Sequence, residues 1–134
     1  EMCIRDSYIG VAAVADYRVD KPRTHKIKKT DRAQLDLKLV PNPDILAWVA
    51  ARRNAPFCVG FAAESEKLAA NAKSKRVKKG VPLIAANLAQ KALGADDNAI
   101  TLYDARGKHS LGRGPKLEQA RKLVAHVAGM LKKR

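Results

Sequence analysis

Apolar residues along this chain fall into short runs separated by basic and polar stretches, and these runs set the expected elements. Tyr8–Ala15 is apolar and stops at Asp16, as a buried parallel strand does. Leu35, Leu37 and Leu39 alternate with Asp36 and Lys38, the period-two signature of a half-buried strand. Phe57–Ala63 and Pro82–Asn87 read as fully buried strands, and Ala99–Tyr103 as another. The turn Asp104–Gly107 would return a hairpin partner through Leu111. Helical spacing appears in Pro43–Arg53, with Ile45, Leu46, Val49 and Ala50 on one face, and from Pro115 onward, with Leu117, Ala120, Leu123, Val124, Val127 and Leu131. Asn42-Pro43-Asp44 reads as a capped helix start, while Ser65 and Gly80 bracket a helix running to about Lys79. Strand and helix alternate, so the expected class is α/β: three layers, Rossmann-like, with a mostly parallel sheet.

Two stretches fall outside this rhythm. Residues 17–32 are polar, basic and broken by Pro22, which predicts a mobile loop. Residues 1–7, EMCIRDS, fit neither period and are set aside as a possible join. The remaining residues 8–134 read as one domain, with room for a single core.

Composition narrows the classes. No apolar run approaches the ~20 residues of a membrane helix, and no signal-peptide pattern is present, so the expectation is cytoplasmic with no membrane partner. Cys3 and Cys58 give no disulfide framework, and Cys58 sits in an apolar run as a small core residue. His25, His109 and His126 are scattered, with no cysteine or carboxylate at ligand spacing, so no metal site is expected from them. Lysine and arginine total 27 against 13 acids, a net charge of +14. That excess suits a polyanionic ligand, nucleic acid or a solvated surface. No aromatic is interleaved with a basic run, which argues against a nucleic-acid groove.

Candidate chemistry concentrates where expected strands end. Ala12, Ala13 and Ala15 are small enough to let a ligand lie against backbone groups, and Asp16 follows them. Asn42–Ile45 and Phe61–Glu64 fall at comparable ends, where ligands of such sheets bind. The N–H groups of the helix starting at Pro43 could meet a bound oxygen. Phe61 could pack on a flat base and Asp16 could hold ribose or a magnesium ion. The plainer reading makes Phe61 core and Asp16 a cap. Lys75 and Lys79, four apart on one helix, could clamp a triphosphate, although Lys73, Arg76 and Lys78 around them also fit an ordinary solvated face. Lys26, Lys28 and Lys29 follow the loop, where a lid lysine would lie. Neither GxGxxG nor a Walker-type phosphate loop occurs, so lysines and helix starts would have to hold any phosphate.

Taken in order, GVAAVADYR, KIKK, LVPNPDIL, VGFAAE, KSKRVKK, LIAAN and DDNAITL resemble the phosphopantothenate–cysteine ligase domain of the bacterial bifunctional coenzyme A biosynthesis protein. The resemblance covers residues 8 to about 131. It implies a CTP-dependent ligase needing magnesium, in which 4′-phosphopantothenate is activated as an acyl-cytidylate with release of pyrophosphate. Cysteine then attacks, giving phosphopantothenoylcysteine and CMP. Carried over by position, nucleotide contacts fall on Gly10, Val11, Ala12, Ala13 and Asp16, on Lys26, on Pro43, Asp44, Ile45 and Leu46, and on Phe61, Lys75 and Lys79. Lys26 is the implied catalytic residue, stabilising charge from a lid that closes across a homodimer interface.

The family's upstream glycine-rich segment and its flavin-binding decarboxylase domain have no counterpart here, so FMN is expected only for that separate domain. The chain is therefore expected to be the C-terminal part of a ligase domain, incomplete at its N-terminus, holding much of the CTP site and showing weak or no turnover alone. Two other classes remain alongside: a basic nucleic-acid-binding module, and a non-catalytic nucleotide-binding subunit.

Overall fold

The computed structural model describes residues 6–12, 14–28, 34–88 and 94–132. In chain order the elements are β1 (Ser7–Gly10), β2 (Tyr17–Val19), β3 (Leu39–Pro41), α1 (Ile45–Ala50), β4 (Phe57–Glu64), α2 (Leu68–Lys79), β5 (Leu83–Leu88), β6 (Asp97–Asp104), β7 (Gly107–Pro115) and α3 (Lys116–Leu131). Two compact units result: Ala12–Asp44, and the remainder.

The larger unit is built on a five-stranded sheet in the order β1-β4-β5-β6-β7. β1, β4 and β5 are mutually parallel. β6 runs against both of its neighbours, so β7 again points with the parallel strands. The sheet is thus mostly parallel, and the alternating strand–helix rhythm of the sequence is its cause. Successive strand residues face opposite sides, and each side carries its own core. Phe57, Val59, Leu83, Ala85 and Leu102 meet Leu123 and Val127 of α3 on one face. Cys58, Ala62, Ile84 and Ala86 meet Ala72 of α2, together with Leu46 and Val49 of α1, on the other. Three layers follow from that division.

Local chemistry explains several boundaries. Gly80 ends α2 in the left-handed region, φ 64°, and its N–H reaches back to the carbonyls of Arg76 and Val77. Gly60 is glycine for a different reason: a Cβ there would lie 2.6 Å from Leu46 Cδ2 and 2.8 Å from Ile84 Cδ1. The missing side chain lets α1 settle on β4.

Some expected boundaries shift. The strand expected over Tyr8–Ala15 ends at Gly10, and the helix expected over Pro43–Arg53 is confined to Ile45–Ala50. Asn42 does not cap it. Its amide instead donates to the Ala15 carbonyl at 2.7 Å and accepts Arg18 Nη1 at 3.1 Å. α2 begins at Leu68, with left-handed Lys67 (φ 49°) rather than Ser65 at its entry. On α3 the buried stripe is Gln119, Leu123 and Val127, while Leu117 and Val124 are exposed. The helix is rotated so that its i, i+4, i+8 row meets the sheet.

The smaller unit is a two-stranded antiparallel ribbon of β2 and β3. Asn42 N–H to the Asp16 carbonyl, the Arg18 and Asn42 side chains, and a Lys38–Asp20 ion pair at 3.0 Å fasten it. The alternation of Leu35, Leu37 and Leu39 does not produce a half-buried strand there. All three are more than half exposed, and Val40 takes the more sheltered position. Within this unit a two-stranded ribbon offers no sheet face broad enough to bury such a row.

Candidate functional site

In the larger unit, the parallel strands end side by side. β1 stops at Gly10, in register with Gly60, whereas β4 continues through Phe61 to Glu64 with β5 as its partner. Past Gly10, β4 therefore has a described strand on one side only, and backbone groups near a carboxyl end are where ligands of such sheets are met.

Glu64 organises this end. Its side chain is 12% exposed and its Oε1 lies 2.6 Å from Lys75 Nζ on α2. Oε2 accepts a hydrogen bond from Asn71 Nδ2 at 3.0 Å, and the same amide also reaches the Glu66 carbonyl at 3.2 Å. Lys75 is thus neither a bare phosphate clamp nor an idle surface charge. It is a half-exposed ammonium held in place by a carboxylate, a pair of the type worth less than about 1 kcal/mol when solvent screens it.

Lys79, the last residue of α2, lies one turn beyond Lys75 on the same face, about 6 Å along the axis, toward the start of β5. Phe61 is half-buried and packs against the core on the α3 face, which favours its plainer reading. Gly10 is half-buried and Val11 exposed. Leu46 fills the notch over Gly60, so it supports the strand end from beneath, while Ile45 is exposed. α1 has only six residues.

The remaining candidates belong to the smaller unit. Ala12, Asp16, Lys26, Lys28, Pro43 and Asp44 are exposed there. Ala13 and Lys29 lie outside the described residues. The base of the β2–β3 ribbon, where Asn42 binds both Ala15 and Asp16, fixes the backbone on either side of Asp16.

Sequence reasoning set Glu64 at a strand end without giving it a role of its own, and passed over Asn71. Glu64 closes the GFAAE motif, and its carboxylate at a strand end facing a basic helix is the signal that would have found it.

A second cluster lies at the opposite end of the same sheet, and it corrects the expectation of scattered histidines. Asp104 opens the β6–β7 turn, where its Oδ1 accepts the N–H groups of Arg106 at 2.7 Å and Gly107 at 3.0 Å. Its Oδ2 is thereby turned to His109 Nε2 at 3.1 Å and His126 Nε2 at 4.0 Å. Burial raises the pKa of Asp104, but hydrogen bonds from His109, Arg106 and Gly107 outweigh it and leave the carboxyl below its usual range. Burial and repulsion from His109 hold His126 below the ordinary histidine value against the pull of Asp104. The pair Asp104 and His109 is foreseeable from the tight turn, which sets them on one face. His126 arrives only through the packing of α3.

Comparison with known proteins decides the family. The family model described as the DNA/pantothenate metabolism flavoprotein C-terminal domain matches residues 2–131. The chain belongs to this family. Among similar proteins, the coenzyme A biosynthesis bifunctional protein CoaBC of Vibrio cholerae is 46% identical over 109 residues, which is 78% of this chain and 27% of that protein. CoaBC of Escherichia coli is 45% identical over 102 residues, 72% of this chain and 25% of that protein. This chain therefore spans about a quarter of these relatives. A crystal structure of the C-terminal domain of CoaBC matches with a TM-score of 0.74 and 27% identity, over 96% of this chain and 56% of that one. A Cab2 mutant in complex with phosphopantothenate-cysteine, 20% identical with a TM-score of 0.63 over 88% of this chain and 45% of that one, shares the fold. Among the described residues, no helix is long and apolar enough to cross a membrane.

Proposed function

We propose that this chain is part of a phosphopantothenate–cysteine ligase of coenzyme A biosynthesis that uses CTP. The observation that carries the reading is the family match across residues 2–131, joined to the likeness to CoaBC. The phosphopantothenate-cysteine found on a neighbour of the same fold agrees with the substrate class. On this reading residues 8–134 are the C-terminal part of a ligase domain, to which Ser7 also belongs as the first residue of β1 rather than standing apart with residues 1–6, and the protein works as a cytosolic homodimer.

The chemistry needs a leaving group on an unreactive carboxylate. A carboxylate oxygen of 4′-phosphopantothenate attacks the α-phosphorus of CTP and pyrophosphate departs. The cysteine amine then attacks the acyl carbon, loses a proton and displaces CMP. Negative charge develops on phosphate oxygens in both steps, so fixed positive charge is the protein's chief contribution. Lys75, steered by Glu64 and Asn71, supplies such charge at the strand ends; Lys79, one turn farther along α2 toward the start of β5, is the second phosphate contact that the family resemblance implies. Gly10, Val11, Ala12 and Ala13 offer backbone to the nucleotide, with Pro43, Asp44, Ile45 and Leu46 at the entry to α1. Phe61 packs against the core and would meet the base only with the part of its ring that the core leaves open. Asp16, exposed on a fixed backbone, would bind ribose or hold magnesium, whose role is to neutralise phosphate charge. Lys26, on an exposed stretch, stabilises charge on the activated acyl phosphate.

The test is pyrophosphate release with CTP, 4′-phosphopantothenate and cysteine, from this chain alone and from the chain supplied with an upstream ligase segment of a CoaBC relative. Turnover that appears with the added segment, prefers CTP to ATP and falls in Lys26→Ala supports the reading. Equal turnover with ATP, or none in the joined protein when it binds 4′-phosphopantothenate, contradicts it.

A further inference from the structure

Three side chains of the larger unit converge on one point that the proposed ligase chemistry does not use. Asp104 ends β6, His109 lies two residues into β7 from the turn, and His126 sits on α3 beside the core residue Val127. Leu102 is in register with His109 and faces α3, so Asp104, His109 and His126 all approach the same face of the sheet. One oxygen or nitrogen from each lies within 4.8 Å of the others.

The arrangement is more than a hydrogen-bonded pair. Asp104 has a 5%-exposed side chain and spends Oδ1 on the turn, so Oδ2 is presented in a fixed direction. His126 Nε2 is buried and finds no hydrogen-bond partner among the described residues; 4.0 Å from Oδ2 is too long for one. A buried imidazole nitrogen left unpaired is costly unless something else occupies its lone pair. Bonds of about 2.0–2.2 Å at tetrahedral angles set donor atoms about 3.4 Å apart. The two Oδ2–Nε2 separations, 3.1 and 4.0 Å, bracket that value.

We propose that Asp104, His109 and His126 form a binding site for a borderline divalent transition-metal ion such as Zn²⁺, at the end of the sheet away from the proposed nucleotide site. Two imidazoles and one carboxylate select this class over magnesium or calcium, which prefer all-oxygen sites. The site borders an open cavity of about 850 Å³, whose walls include Arg76 and Arg106. Three protein ligands leave a fourth position toward that cavity, and the two guanidiniums favour an anion or hydroxide there. This place lies at the amino ends of β4 and β5, whereas Glu64 and Lys75 mark their carboxyl ends.

The test is titration of the chelator-treated 134-residue chain with Zn²⁺, and with Co²⁺ to read coordination by its visible spectrum, using Mg²⁺ as comparator. The expected result is saturable binding of one Zn²⁺ or Co²⁺ per chain, a rise in melting temperature with Zn²⁺, and no such rise with Mg²⁺. His109→Gln and His126→Gln should each weaken binding by more than about tenfold, the loss that outer partners alone can cause, with circular dichroism unchanged. His25→Gln, on the smaller unit, should bind as the parent does. Asp104 is left unvaried because it also holds the turn. No saturable Zn²⁺ or Co²⁺ binding overturns the proposal. So does a cobalt spectrum dominated by thiolate charge transfer, or binding that survives both histidine changes and disappears in Cys3→Ser.

Discussion

The two ends of the five-stranded sheet are made from the same strands yet organised by different means. At the carboxyl end, one carboxylate, Glu64, steers one ammonium, Lys75, and β4 runs on past Gly10 with a described strand on one side only. At the other end, one carboxylate oxygen faces two imidazoles, and a turn rather than a helix fixes its direction. On the proposed readings the first end would offer positive charge to an anion and the second lone pairs to a cation. A single α/β sheet thus carries two electrostatic characters, separated by the length of β4 and β5.

The largest expected effect that separates the ends comes from Gly60→Ala. Its new Cβ would collide with Leu46 and with Ile84, which is buried and cannot swing clear. We expect a loss of about 1–3 kcal/mol, the usual range for overpacking, measured as a lower urea midpoint at unchanged slope. Adding Leu46→Ala should recover part of it, because that vacates the notch. Metal binding at the far end should be untouched; its loss would show that the ends are mechanically coupled.

Gly80→Ala acts from the other side. Gly80 holds φ 64° with open space around a would-be Cβ, so the cost is conformational, about 1–2 kcal/mol. Thermal unfolding checks it, and Gly80→Asn should lose less, because asparagine tolerates this region.

The smallest stability effect belongs to Glu64→Gln. The Lys75–Glu64 pair is partly exposed, so the change should cost less than about 1 kcal/mol. A loss several times larger would mean that the pair is a structural strut rather than a positioned charge.

How much of this was legible in the chain differs between the ends. At the carboxyl end the elements were legible: the apolar run Phe57–Ala63 reads as a strand, and Ser65 and Gly80 bracket the helix that carries KSKRVKK. What escaped was the pairing of Glu64 with Lys75, which requires the packing of α2 on β4. The other end was hidden, because Asp104, His109 and His126 come from three elements and meet only after α3 docks. Periodicity also misled where a pattern had no surface to cover. Leu35, Leu37 and Leu39 alternate as a buried strand would, yet they belong to a ribbon with no broad face. On α3, Leu117 and Val124 look like core until Gln119 takes the inward position. Hydrophobic spacing specifies an element and its period; the neighbour it packs against selects the face.

The most direct test of the central claim is titration of the chain with CTP and magnesium, with ATP and a short DNA duplex as comparators. Lys75→Ala is set against Lys73→Ala, which removes the same charge from the exposed side of the same helix. The expected result is saturable binding that prefers CTP, weakens in Lys75→Ala and is retained in Lys73→Ala. Equal weakening in both variants, with tight salt-sensitive DNA binding, would show that the net charge of +14 does the binding, and would contradict it.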